Sequence, residues 1–384
     1  MVTIKEVARA AGVSTQTVSR VVNRKGYVSV ATRQRVEQAI RRLGYAPNRV
    51  ASGMVTGRTM SIGIVVPDVS SAFFSELVLG AETVATRMGY TLVLCDAAES
   101  PEQEKRILRF LHEARVDGVI VTSTRLHDGE LLPALAPHRA FVMINHPVAA
   151  ELGGNVTSDH AGGMALAVEH LVRSGRRVIA YMAGSERSYV GRERLRGFLQ
   201  AMAAAGRAVS PDLIVPYAAH FEEGYQTLQE WLQADDAGSS RWRELRASFG
   251  VRGARALLQA HPEVDAIVCN ADQLAFGALR ACAQLGRRVP ADVAIVGCND
   301  VDLASQVSPS LTTQRVPIYR MGAAAARLLM ERIEGAGRQD DVVFEHELVL
   351  RESAPAISPP SPRGESRTPG GGGRELSRAQ GDAA

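Results

Sequence analysis

Four cysteines in 384 residues, at Cys95, Cys269, Cys282 and Cys298, form no Cys-x-x-Cys pair and have no histidine at metal-ligand spacing. A zinc module and a redox motif are therefore excluded, and the thiols read as small buried hydrophobes in a reducing compartment. Nor is there an apolar run of roughly 18 residues or a leader-like N-terminus. A soluble cytoplasmic protein with no membrane partner is expected. Walker-type glycine loops, a Gly-x-Ser-x-Gly elbow and metal-spaced His/Glu sets are missing too, so neither an enzyme nor a bound cofactor is expected.

What is present begins at the N-terminus. Residues 1–60 hold eleven Lys/Arg against two Asp/Glu, whereas the whole chain nets only +3. The basic end is the polyanion-binding end. Thr3 and Glu6 have capping-box spacing, and Ile4, Val7, Ala8 and Ala11 follow on one helical face. Gly12 supplies a turn. Ser14 can cap a second helix that turns Val18, Val21 and Val22 inward and Thr15, Gln16, Ser19, Arg20 and Asn23 outward. Hydroxyl, amide and guanidinium groups in that row suit base edges in a major groove, as in a helix-turn-helix. A third helix is expected from about Ala31 to Arg42, closed by Gly44.

Residues 47–60 are short and glycine-containing, which predicts a hinge that orders on contact. From Ser61 the texture changes to short apolar runs alternating with helical stretches: Ile62–Val66, Thr91–Leu94, Gly118–Val121, Phe141–Ile144, Val178–Met182, Ala266–Cys269 and Val293–Val296. That is α/β texture with parallel sheets, and its length predicts two lobes with a ligand between them at the carboxyl ends of strands. Residues 354–384 are rich in Pro, Gly and Ser without apolar heptads, so a disordered tail is expected there.

Together these residues resemble the LacI/GalR family of bacterial transcription regulators. The resemblance runs from Thr3 to about Ser353, and its most specific part is Thr3-Ile-Lys-Glu-Val-Ala8 through Gly12-Val-Ser-Thr-Gln-Thr-Val-Ser-Arg-Val-Val-Asn23. Leu43-Gly-Tyr-Ala-Pro-Asn48, Ser61-Ile-Gly-Ile-Val-Val-Pro67, Val116-Asp-Gly-Val-Ile120 and Pro309-Ser-Leu-Thr-Thr313 add to it. It implies an all-α helix-turn-helix headpiece (1–46), a hinge helix (47–60) and an α/β core of two parallel-sheet lobes (61–353) like periplasmic binding proteins. The first lobe would take about 61–158 and 292–319, the second about 159–291 and 320–353. The implied partners are operator DNA, a small-molecule effector and a second copy in a homodimer.

By the same resemblance Thr15, Gln16 and Arg20 would read bases, and Ser14, Ser19, Asn23, Thr32, Tyr45 and Asn48 would touch phosphates. The hinge departs from the pattern: Ala51-Ser-Gly-Met54 places Met54 where relatives carry a minor-groove leucine, and Gly53 weakens the helix by about 1 kcal/mol. Phe73 and Phe74, Arg192 and Arg194, and Asp272 match effector-site positions, with Asn145 and Asp159 as further candidates. A sugar or sugar derivative fits such a set. An extra stretch within 216–248 leaves two segments, Phe221-Glu-Glu-Gly-Tyr225 and Phe249-Gly-Val-Arg-Gly253, competing for one pocket aromatic, with Phe249 favoured by its spacing to Val264. A small-molecule carrier without a DNA role is the rival reading.

Overall fold

The computed structural model describes residues 2–22, 26–45, 58–216, 250–335 and 340–356. The expected hinge as far as residue 57, the extra stretch beyond Pro216 and the tail from residue 357 lie outside them, as do Asn23, Asn48, Met54, Phe221, Tyr225 and Phe249.

The N-terminal unit is three helices, α1 (Ile4–Ala11), α2 (Thr15–Val22) and α3 (Val30–Leu43). Glu6 reaches back to the Thr3 amide at 2.7 Å and its hydroxyl at 2.9 Å, so the expected capping box forms. Gly12 ends α1 with φ +64°, a left-handed turn that costs glycine little. The Ser14 hydroxyl accepts from the Thr17 amide at 3.1 Å and starts α2. Val7, Ala8, Ala11, Val18, Val21, Val36 and Ala39 close one small core between the helices.

The remainder is two parallel-rich α/β lobes. The first sheet orders β11, β5, β4, β3, β1, β2: β1 (Ser61–Val66), β2 (Thr91–Asp96), β3 (Gly118–Thr122), β4 (Phe141–Ile144), β5 (Gly154–Ser158) and β11 (Val342–Phe344), all parallel. The second orders β12, β10, β9, β8, β6, β7: β6 (Ile179–Met182), β7 (Ile214–Val215), β8 (Ala266–Cys269), β9 (Ala294–Asn299), β10 (Thr312–Arg315) and β12 (Glu347–Val349), with only β12 antiparallel. Helices α4 (Ala72–Arg87), α5 (Pro101–Glu113) and α6 (Asp128–Leu135) serve the first lobe, and α7 (His160–Arg173), α8 (Tyr189–Ala204), α9 (Val251–Ala260) and α10 (Asp272–Gln284) the second.

The expected lobe boundaries need correction. The apolar run Ala294–Val296 pairs in register with Ala266–Val268, so 294–315 belongs to the second lobe. Helix α11 (Ile318–Ile333) then returns to the first, where Leu328 packs at Gly154 and Leu329 at Gly118. The chain therefore passes between lobes three times, at 158–160, 315–318 and 344–347. Against α4, α11 approaches to backbone contact: a Cβ on Gly322 would stand 1.9 Å from the Leu77 carbonyl oxygen, and one on Gly80 would stand 2.1 Å from that of Tyr319.

All four cysteines are free, three of them buried, and burial pushes Cys298 up to about 12 and Cys282 up to about 11. No helix among the described residues is long and apolar enough to cross a membrane.

Candidate functional site

On the N-terminal unit the outward face of α2 carries Thr15, Gln16 and Arg20, all exposed, with Ser14 at its start. Ser19, Thr32 and Tyr45 are half-buried at the margins of this unit. Thr32 receives a hydrogen bond from the Ser29 hydroxyl at 2.9 Å, and Tyr45 packs against the small core. The buried valines one helical step away fix the direction of the polar row, since Val18 and Val21 cannot leave the core without exposing it. Tyr27, 91% exposed, is a surface aromatic that periodicity did not single out.

The second site is a cleft of about 920 Å³, its open mouth included, between the carboxyl ends of strands of both sheets. From the first lobe come Asp68 after β1, Phe73 and Phe74 in the first turn of α4, Glu99, Ser123 and Arg125 after β3, and Asn145 after β4. From the second come Ser185 and Ser188, Arg194 on α8, Asn270 after β8, Gln273 on α10 and Asn299 at the end of β9. Ser123, Asn145 and Asn299 lie in the left-handed region, with φ of +44°, +59° and +124°. Such backbone turns the chain sharply where strands stop and presents side chains to the cleft.

Two arginines define the electrostatics. Arg125 forms a two-pronged pair with Glu99, at 2.5 Å from Nε and 2.8 Å from Nη2. Beneath it Glu104, 2% exposed, accepts from the Arg125 amide at 3.0 Å and from the Thr124 hydroxyl, and burial holds its carboxyl above the usual range. Arg194 is 3% exposed and donates to the Asn270 carbonyl at 2.5 Å and to Asn299 Oδ1 at 3.2 Å. Its Nε is buried without any hydrogen-bond partner.

Asn145 connects the cleft to the interlobe passes. His160 Nε2 donates to Asn145 Oδ1 at 3.2 Å, and Ser158 stands 3.3 Å from His160 Nδ1. Burial holds His160 well below the usual histidine range, and His346 falls to about 3 for the same reason, with the Arg194 charge adding to both.

Of the expected effector residues, Phe73, Phe74, Asn145 and Arg194 therefore meet in one cleft. Three others do not face it. Arg192 is exposed and spends its Nη1 on the Glu186 and Arg187 carbonyls, at 2.9 and 3.2 Å. Asp159 is the exposed N-cap of α7, accepting from the Gly162 amide at 2.9 Å. Asp272, 1% exposed, accepts from the Thr313 hydroxyl at 2.5 Å and the Val301 amide at 2.9 Å, so it braces β9 against β10 and borders only a neighbouring groove. Burial raises it to about 6. Asp68, Glu99, Arg125, Asn270 and Asn299 escaped a reading from sequence, because four of them sit in loops and Asn299 is the polar last residue of β9, where no periodicity marks them. Their position one to three residues after an apolar strand is the signal that finds most of them.

Three family descriptions match the chain: "Bacterial regulatory proteins, lacI family" over residues 3–48, "Periplasmic binding proteins and sugar binding domain of LacI family" over 59–235, and a periplasmic binding protein-like domain over 168–354. The ribose operon repressor of Halalkalibacterium halodurans is 35% identical over 340 residues, covering 87% of this chain and 91% of its own. The repressor PurR of Vibrio vulnificus is 33% identical, covering 93% of this chain and 100% of its own. Among solved structures, the lac repressor bound to ONPG superposes with a TM-score of 0.75 at 28% identity, over 92% of this chain and 99% of that one. The complex of the transcriptional regulator CelR with cellobiose gives 0.64 at 33% identity, over 92% and 100%.

Proposed function

The chain belongs to the lacI family of bacterial regulatory proteins, as a DNA-binding transcriptional regulator rather than an enzyme, and we propose that it is a cytoplasmic homodimeric repressor governed by a small polar effector bound between its lobes. Thr15, Gln16 and Arg20 read base edges in the major groove, while Ser14, Ser19, Thr32 and Tyr45 hold phosphates and set register. Outside the described residues, Asn23 and Asn48 are further phosphate contacts in this reading, and Met54 is the minor-groove residue of the hinge. The effector lies on Phe73 and Phe74 with polar contacts to Asn145 and Arg194. Phe249, outside the described residues, is the further pocket aromatic of this reading.

The observation that carries this reading is the cleft itself. Polar groups from the strand ends of both lobes converge on it, and three chain passes let the lobes close on a ligand as two bodies. Closure shifts the spacing of the two headpieces across the dimer. Effector and operator are then coupled through a two-state rearrangement.

The test uses an operator selected from random duplexes by the full chain. Its dissociation constant is measured with and without each compound that raises the melting temperature of the protein. A change of tenfold or more with such a compound is expected. Operator affinity that ignores every stabilising compound would overturn the reading.

A further inference from the structure

Helix α11 runs from the passes between the lobes to the point where the DNA-binding linker enters the core. Its first turn follows the pass at 315–318 without a break. Gln314, just before that pass, meets His346 at 3.2 Å, and the Arg320 guanidinium lies 5.4 Å from the centre of the Phe344 ring, beside the third pass. Sixteen residues on, about 24 Å away, the helix ends at Ile333. The last four carbonyls of a helix have no partner within it, and that of Ile333 accepts from Arg58 Nη2 at 3.2 Å. A cation there also meets the negative end of the helix dipole.

Arg58 is half-buried at the inner end of the linker. Tyr90 is its neighbour: burial and the Asp117 charge raise the phenol above its usual value, while Arg58 opposes that shift by charge and by a hydrogen bond. The next two residues are fixed to the loop before β3, where Asp117 takes the Thr59 and Met60 amides and the Arg115 carbonyl takes the Thr59 hydroxyl at 3.0 Å. That loop stays with the sheet, whereas the contact of Arg58 goes to α11. The crossing of α11 over α4 is made of small residues and main chain. The atoms facing Gly322 are main-chain atoms of Leu77 and Ala81, and those facing Gly80 belong to the main chain of Tyr319 and Ala323. Large interlocked side chains hold packed helices in register, and a smooth crossing permits the small shear of one helix along another.

We propose that Arg58 is the positioning residue through which lobe closure reaches the DNA: a shift at the pass is carried along α11 to the Ile333 carbonyl, and Arg58 hands it to the linker. This rests on the lobes moving as two bodies, as argued above. Most of α11 is buried, and a close-packed interior transmits a displacement instead of absorbing it. Coupling is reciprocal, so operator binding acts back on the pass through the same contact.

The experiment is amide hydrogen exchange of the full chain, free and saturated with the selected operator, for the wild type, Arg58→Met and Arg58→Lys. No effector is added. In the wild type, operator should slow exchange at 316–322 by about fivefold or more, although these residues lie at the far end of α11 from the linker. Arg58→Met, which keeps the stem and removes every donor, should lose that change at an operator concentration that saturates it. Arg58→Lys, which keeps a cation at the helix end, should retain part of it. Unchanged exchange in β3 and β4 verifies that each variant is folded. Equal slowing in Arg58→Met and the wild type, or slowing at 158–160 and 344–347 that spares 316–322, would overturn the role of Arg58. No change at any of the three passes in the wild type would instead overturn the two-body rearrangement beneath it.

Discussion

His346 Nε2 lies 2.9 Å from the hydroxyl of Ser158, which ties two of the three interlobe passes side by side. From there the contacts run on to Gln314 at 3.2 Å, beside the third pass, and through His160 to Asn145 in the cleft wall. Both imidazoles are neutral in the folded protein, His346 down to about 3 and His160 well below its usual range. In the unfolded chain they titrate near about 6.5. Below that value the unfolded state binds protons that the folded state refuses, so stability falls as pH drops from about 6.5 towards 3, by at most about 1.4 kcal/mol per pH unit for each histidine. Urea unfolding at several pH values should show this decline, and His346→Gln should flatten it. Parallel declines in variant and wild type would remove His346 from the account.

Much of the fold is legible because its central strands are apolar. Phe141–Ile144 and Ala266–Cys269 form strands where their runs predict them, and Ala31–Arg42 lies within α3. The passes between lobes are not legible in that way. Thr312–Arg315 and Gly154–Ser158 are strands without an apolar run, held by neighbours far away in sequence, so the pattern carries no hint of which sheet they join. The placement of 294–315 in the first lobe rests on the family resemblance alone, and the pairing of Ala294–Val296 with Ala266–Val268 is what moves it to the second. The effector residues divide for a related reason: Arg194 and Arg192 are equally plausible in Gly191-Arg-Glu-Arg-Leu, and only the helical direction buries one and exposes the other.

Asp117 is 5% exposed and holds the point where the linker enters the core, accepting from the Thr59 amide at 2.8 Å and the Met60 amide at 2.9 Å. Asp117→Asn keeps the size but turns an NH2 towards one of those donors. A loss of about 1–3 kcal/mol is expected from the unmatched amide. The ratio of operator affinities with and without effector should also shrink, because the linker is no longer fixed to the first sheet. Urea unfolding reads the first effect and a gel shift the second. Unchanged stability would mean that Asp117 is dispensable at this junction.

Gly322→Ala should destabilise the first lobe by about 1–3 kcal/mol or more. The added carbon meets the Leu77 carbonyl oxygen at 1.9 Å, and only separation of α4 from α11 relieves it. Gly206→Ala makes a useful contrast: no atom lies within 4 Å of its added carbon, but φ is +69°, so its cost is backbone strain alone. Thermal unfolding of the two variants checks the order. A smaller loss at Gly322 than at Gly206 would contradict the tight helix crossing.

Ser14 and Arg20 sit on the same exposed face, yet their substitutions should separate. The Ser14 hydroxyl is already engaged in capping α2 through the Thr17 amide, so Ser14→Ala should lower headpiece stability by about 1 kcal/mol and weaken cognate and random DNA alike. Arg20 is exposed, with its stem beside Gly26. If its guanidinium bridges a guanine edge, Arg20→Ala should cost about 1–3 kcal/mol on the selected operator and little on random duplex, with the headpiece as stable as before. Equal losses on both DNAs would make Arg20 a phosphate contact, and base reading would then rest on Thr15 and Gln16. The two variants measured together distinguish a face that reads sequence from one that merely holds the duplex.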